Sequence, residues 1–315
     1  MNENLTAGIF RIERLNNHNG PGLRTVIFMK GCPLHCIWCH NPEGVNLKNE
    51  IWYIPSKCIG CSGCVAVCPE KALELTAQGI KIDREKCTGC YQCVEACPSK
   101  SLEKLREDVT TDYLMDIILR DKIFFQSSGG GVTVTGGEPG IYADFITELF
   151  YKCKQNGIQT GFDTSGVIPL EKLESVLQLT DLMFLDLKIM DVEKSVIYTG
   201  LDMIKLMDSV QWLKHFIFIH SNTFKLYIRT PLIPDLTDTN ENLLSIIKVL
   251  DEIGEGNIEE WELCKFNDLC ADKYLKMNKK WTFKPDLSVH QTKEQYLNLG
   301  NHFENLKIIV TGLGV

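Results

Sequence analysis

GCPLHCIWCH (31–40) sets Cys32, Cys36 and Cys39 in a C-x3-C-x2-C triplet. Three thiolates on one tight loop can hold three irons of a cubane 4Fe–4S cluster, whereas an ordinary ferredoxin cluster takes four Cys ligands. The fourth iron would then lack a protein ligand, much as a catalytic zinc keeps one position free. The spacing predicts iron chemistry on a directly bound small molecule, beyond passing electrons.

The other cysteines extend this reading. The chain of 315 residues holds 14 Cys. Eight fall in two runs, CIGCSGCVAVCP (58–69) and CTGCYQCVEACP (87–98), each C-x2-C-x2-C-x3-C-P. In this bacterial ferredoxin pattern the fourth Cys serves the other cluster. The rule assigns Cys58, Cys61, Cys64 and Cys97 to one cluster, and Cys87, Cys90, Cys93 and Cys68 to a second. The remaining Cys153, Cys264 and Cys270 read as buried structural thiols. Disulfides are rare in the cytoplasm, so metal binding explains the high cysteine count better.

Bulk properties narrow the classes. The net charge is −8 and the pI about 5.5. No basic run stands out, which argues against nucleic acid as the main partner. No apolar stretch approaches the roughly 18 residues of a membrane span. MNENLTAGIF (1–10) lacks the basic and apolar regions of a signal peptide, so the expected location is the cytoplasm.

Around the cysteines, short apolar runs alternate with helical patterns. Leu23–Met29 reads as a strand ending at the triplet. Val132–Thr135 ends at TGGEP, Gln159–Phe162 at DTSG and Leu182–Leu185 at DLK; Lys225–Arg229, Trp261–Phe266 and Leu306–Val310 follow. Ile141, Phe145, Ile146, Leu149, Phe150 and Cys153 share one helical face before Asn156-Gly157. Leu243, Leu244, Ile246, Ile247 and Leu250 do the same after Asn240. This alternation predicts an α/β fold with a parallel sheet and right-handed crossovers. The Gly-rich and polar segments stand at strand ends, the rim where a β/α barrel places its chemistry. The ferredoxin-like module, residues 51–105, interrupts a larger domain made of residues 1–50 and 106–315.

GIFRIERLNNHNGPGLRTVIFMKGCPLHCIWCHNPEG (8–44) resembles the amino terminus of the glycyl-radical-enzyme activating enzymes of the radical S-adenosylmethionine superfamily. With the insert, the chain is similar to the larger subgroup of that family. The resemblance implies a partial (β/α) barrel carrying an inserted bacterial ferredoxin-like α+β module. It implies three 4Fe–4S clusters, S-adenosylmethionine, a glycyl radical enzyme as protein substrate, and a flavodoxin- or ferredoxin-like electron donor. In the family, the open iron binds the methionine part of the cofactor. One electron then releases a 5′-deoxyadenosyl radical, which takes hydrogen from a backbone glycine.

The same resemblance assigns further residues. It places Trp38, beside Cys39 and His40, along the adenine, and the Gly136-Gly137-Glu138 motif at the methionine ammonium. It brings Asp163-Thr164-Ser165-Gly166 and Asp186-Leu187-Lys188 to the cofactor. Asp163, Thr164 and Asp186 match residues that hold a monovalent cation in pyruvate formate-lyase activating enzyme. Arg229, in R-x-P context, matches a cofactor-contacting arginine, and a charge in a strand needs a partner in any case. Asn267, followed by Lys273-Tyr274, falls near the adenosine. Two departures stand out: Asn19 where the family commonly has Asp, and Ser195 where it often has His. Two other readings stay open: a radical enzyme acting on a small molecule, and a multi-cluster electron carrier, for which Cys153, Cys264 or Cys270 would have to complete the triplet.

Overall fold

The computed structural model describes residues 5–220, 224–287 and 292–312. Residues 1–4, on which part of the amino-terminal reading rests, lie outside them. In chain order the strands are β1 (Thr6–Asn16), β2 (Arg24–Met29), β3 (Ile51–Tyr53), β4 (Leu73–Thr76), β5 (Gly79–Ile82), β6 (Leu102–Lys104) and β7 (Glu107–Thr110). They continue with β8 (Gly131–Gly136), β9 (Gln159–Thr164), β10 (Leu182–Asp186), β11 (Lys225–Leu232), β12 (Ile258–Lys265) and β13 (Ile308–Thr311).

Nine of these form one sheet in the order β13-β12-β11-β10-β9-β8-β2-β1-β7. From β2 through β8 to β13 every pairing is parallel. From β8 to β13 neighbours follow chain order, so each crossover there leads to the adjacent strand, and the carboxyl ends of β2 and β8 to β13 point one way. All six residues of β2 are buried, which explains the apolar run Val26–Met29. Its one charge, Arg24, is satisfied by Thr133 Oγ1 (2.7 Å), Gln159 Oε1 (2.7 Å) and the Val132 carbonyl (2.8 Å).

The helices between strands bury the faces that the periodicity marks. Helix Ala143–Gln155 buries Phe145, Ile146, Leu149, Phe150 and Cys153; Ile141 falls in the preceding 3-10 turn, Pro139–Tyr142. Each such side chain contributes roughly 1.5–3 kcal/mol on leaving water. Helix Asn240–Ile253 starts at Thr239, whose hydroxyl accepts from Asn242 N. It buries Leu243, Ile246, Ile247 and Leu250, but Leu244 is 43% exposed and does not belong to that face.

The sheet also contains β1 and β7, which the apolar runs do not reveal. β1 pairs antiparallel with both β2 and β7. Its charges Arg11, Glu13 and Arg14 break the hydrophobic pattern. Arg14 makes an ion pair with fully buried Asp121, whose other partner is the Thr25 hydroxyl.

Strands β3–β6 lie outside the main sheet, as the pair β3–β6 and the hairpin β4–β5. The doubled sequence gives a doubled backbone. Left-handed residues recur at Gly60 and Gly89, Ser62 and Tyr91, and Lys71 and Lys100. Helices Gly63–Ala66 and Gln92–Glu95 follow Ser62 and Tyr91 directly.

Candidate active site

The carboxyl ends of β8 to β12 and the cysteine loop enclose a cavity of about 380 Å³. The loop is pinned on three sides by backbone contacts. Gly31 N and Cys32 N donate to the Gly44 and Val45 carbonyls (2.6 and 2.9 Å). His35 N and Ile37 N donate to Thr199 and Tyr198, at the end of helix Val192–Thr199 (2.9 and 3.1 Å). On the third side the Tyr274 hydroxyl donates to the Cys39 carbonyl (3.1 Å) and Lys273 Nζ to that of His40 (2.8 Å).

Cys32, Cys36 and Cys39 all line the cavity. Burial pushes the Cys32 and Cys39 thiols up to about 12, and that of Cys36 upward as well. Lys188 opposes the rise at Cys32 and Cys36. Three half-buried thiols gathered on one loop suit a metal centre, whose positive charge deprotonates coordinating thiols outright. Among the described residues no three His, Cys, Asp or Glu side chains converge tightly enough for one ion. A cubane spreads its ligands over separate corners and asks for no such convergence.

Trp38, His40, Gly136, Gly137, Asp163, Thr164, Ser165, Asp186, Lys188, Arg229 and Asn267 line the same cavity. The fold thus gathers residues up to 235 positions apart (Cys39 and Tyr274) around one loop. Trp38 is buried in a small apolar cluster with Ile189, Ile233 and Phe266, and its ring centroid is 6.4 Å from that of Phe283. The His40 ring stands edge-on to Phe266 (5.2 Å). The two glycines are required by close approach. A Cβ on Gly137 would run into the Gly31 carbonyl, and one on Gly136, at φ +117°, into the Met29 backbone.

Glu138 and Leu187 do not line the cavity. Glu138 is fully buried, and its carboxylate accepts four hydrogen bonds. They come from Gly140 N (3.0 Å), the Thr164 hydroxyl (2.7 Å), Ser165 N (3.0 Å) and the Ser165 hydroxyl (2.7 Å). It therefore clamps the DTSG turn to the end of β8. Leu187 is a core residue. Ser195 also points away, its hydroxyl donating to the Leu201 carbonyl (3.0 Å).

Arg229 has the partners its strand position demands. It pairs with Asp163 Oδ2 (3.0 Å) and Glu262 Oε2 (2.7 Å), and its guanidinium carbon lies 4.2 Å from the Phe184 ring centroid. Burial works against its charge, but Asp163 and Glu262 outweigh it and fix the cation. Burial also raises the Asp163 carboxyl to about 6 against the pull of Arg229. Lys188 Nζ lies 2.7 Å from Asp186 Oδ2. Burial opposes its charge too, yet Asp186 and then Cys36 hold it cationic. The three residues matched to a cation are thus engaged otherwise, Asp163 by Arg229, Asp186 by Lys188, and the Thr164 hydroxyl by Glu138.

Cys264 departs from the expected structural role. Cys153 and Cys270 are buried, whereas Cys264 opens into the cavity from β12. The period-2 alternation of β12 holds the signal: Cys264 shares one face of the strand with Glu262, a partner of Arg229. In the insert, Cys68, Cys87, Cys90 and Cys93 line one cleft. Cys64 interacts electrostatically with Cys97 and Cys58.

Comparison with known proteins agrees with the fold. Residues 84–247 match the Radical SAM superfamily, residues 50–108 a 4Fe-4S dicluster domain and residues 18–78 a 4Fe-4S single cluster domain. The chain belongs to the radical S-adenosylmethionine superfamily and, within it, to the glycyl-radical-enzyme activating enzymes. It is 36% identical to the (2S)-3-sulfopropanediol dehydratase activating enzyme of Klebsiella oxytoca, over 87% of this chain and 86% of that one. It is 35% identical to the trans-4-hydroxy-L-proline dehydratase activating enzyme of Clostridioides difficile, over 87% and 88%. It is 32% identical to the pyruvate formate-lyase 2-activating enzyme of Escherichia coli, over 88% and 83%. Among the described residues no helix is long and apolar enough to cross a membrane.

Proposed function

We propose that this chain activates a partner glycyl radical enzyme, using a 4Fe–4S cluster on Cys32, Cys36 and Cys39 and S-adenosylmethionine in the adjoining cavity. The observation that carries the reading is the cavity itself: three loop thiols, two obligatory glycines, two carboxylates and two fixed cations face one space. When bound, these groups supply the chemistry, one-electron cleavage of the sulfonium to a 5′-deoxyadenosyl radical that removes hydrogen from a glycine of the partner.

The residues here bind and orient. Arg229 and Lys188 offer positive charge to a carboxylate, and the planar guanidinium suits it best. Asp163 and Asp186 accept from an ammonium. Trp38, Ile233 and Phe266 give a nucleobase an apolar wall and keep water away from the reacting end. Glu138 acts at one remove by holding Thr164 and Ser165. A cation at Asp163, Thr164 and Asp186 would compete with the ion pairs these carboxylates make.

The insert, residues 51–105, is assigned two further clusters, on Cys58, Cys61, Cys64 and Cys97 and on Cys87, Cys90, Cys93 and Cys68. These clusters would relay electrons from a flavodoxin- or ferredoxin-like donor in the cytoplasm, or help form the surface on which the partner docks. The test is anaerobic incubation of the reduced, iron-loaded protein with S-adenosylmethionine and a candidate glycyl radical enzyme. A glycyl-radical doublet in electron paramagnetic resonance, absent with Cys36→Ala, is expected. Cleavage of the cofactor with rapid turnover of a small metabolite and no radical on any partner would overturn the reading.

A further inference from the structure

Between the insert and the cysteine loop lies the short helix Ala271–Lys276, and it touches both. On the loop side, Lys273 Nζ reaches three acceptors: the His40 carbonyl (2.8 Å), Asn41 Oδ1 (3.0 Å) and Glu43 Oε1 (2.8 Å). Glu43 is buried and acts electrostatically on Cys39. Tyr274 holds the Cys39 carbonyl. On the insert side, Arg84 Nε donates to the Met277 carbonyl that ends the helix (3.1 Å), while its Nη2 donates to Ile51 at the start of β3 (2.8 Å). Lys276 Nζ lies 5.4 Å from the Trp52 ring centroid. Arg84 stands three residues before Cys87 and interacts electrostatically with it.

The geometry points to a strut: through helix Ala271–Lys276, Lys273 and Tyr274 set the position and reduction potential of the triplet's cluster, and Arg84 fixes the insert's Cys87 loop beside it. These are positioning residues, since none lines the cavity. The inference rests on the cluster assignments proposed above. Lys273 neutralises Glu43 behind Cys39; without it an uncompensated carboxylate faces the cluster and disfavours the added electron. The Tyr274 hydroxyl points a donor dipole the same way. A rigid link between insert and loop also keeps the inter-cluster separation constant, which a relay requires.

The test is a redox titration followed by electron paramagnetic resonance on the full, iron-loaded chain. At a fixed potential, Lys273→Met should raise the oxidised-to-reduced ratio of the triplet's cluster about tenfold, ~59 mV for one electron. Lys273→Arg should restore it, and Tyr274→Phe should shift it less in the same direction. Arg84→Met should weaken the magnetic broadening between the triplet's cluster and the insert, leaving iron content unchanged. Unaltered potentials in Lys273→Met and Tyr274→Phe overturn the loop side of the strut, and Tyr274→Phe alone decides it if Lys273→Met does not take up iron. No broadening in the wild type, or the same broadening in Arg84→Met, overturns the insert side. Failure of the wild type to assemble a cluster on the triplet would instead sink the cluster assignment.

Discussion

Arg229 Nη1 lies 3.0 Å from Asp163 Oδ2, although their strands, β11 and β9, are separated by β10. Both side chains project from carboxyl ends into the cavity, and Glu262 on β12 completes the triad. Arg229→Met strands two carboxylates that keep only 14% and 16% of their side-chain surface exposed. It should lower stability by about 3–5 kcal/mol, read by denaturant unfolding. Arg229→Lys keeps the charge but loses the fork, so cofactor affinity should fall more than stability.

Glu138 accepts four hydrogen bonds from the turn that follows β9 and from its own. In Glu138→Gln an amide faces donors where a carboxylate accepted. A stability loss of at least about 2 kcal/mol is expected, with weaker cofactor binding by calorimetry and an unchanged triplet cluster spectrum. Loss of the cluster itself would place Glu138 among its supports instead.

Asp121 gives a pH dependence. Burial would raise its carboxyl, but Arg14 and the Thr25 hydroxyl outweigh that and hold it below the usual range. A carboxyl lowered on folding contributes stability above its unfolded value and loses it as pH falls through the folded value. Asp121→Asn should therefore melt earlier at neutral pH. The gap to wild type should close below about pH 4, as thermal unfolding across pH 3–7 would show.

The doubled insert is not symmetric in its surroundings. A Cβ on Gly60, at φ +71°, meets nothing, whereas one on Gly89, at φ +70°, runs into Asn49. Gly60→Ala should cost about 1–2 kcal/mol in backbone strain. Gly89→Ala adds a collision and should cost more, with insert iron lost first in that variant. Equal effects in iron content and melting would contradict the packing of the second loop against the chain entering the insert.

The parallel strands were legible because each is an apolar run closed by Gly or a polar cluster, and β9, β10 and β11 appear within a few residues of their expected ends. β1 is hidden by Arg11, Glu13 and Arg14: Arg11 and Glu13 pair with each other within the strand, and Arg14 finds its partner, Asp121, only 107 residues on. The site's loop residues could be read from local spacing. The role of Glu138 could not, because its partners lie 26 and 27 residues away. Nor could the contacts of Lys273 and Tyr274 with the cysteine loop, since more than 230 residues separate them. The place of Cys264 in the cavity follows from the alternation of β12, but that alternation names a cavity face only once Arg229 and its partner Glu262 are placed.

In the proposed function the triplet's cluster keeps one iron for S-adenosylmethionine. Electron–nuclear double resonance on the reduced, iron-loaded protein, with the cofactor labelled at its amino nitrogen and carboxylate, tests it directly. Coupling of both labels to the cluster, abolished in Cys36→Ala, is the expected result. A cluster whose spectrum ignores the added cofactor would contradict it.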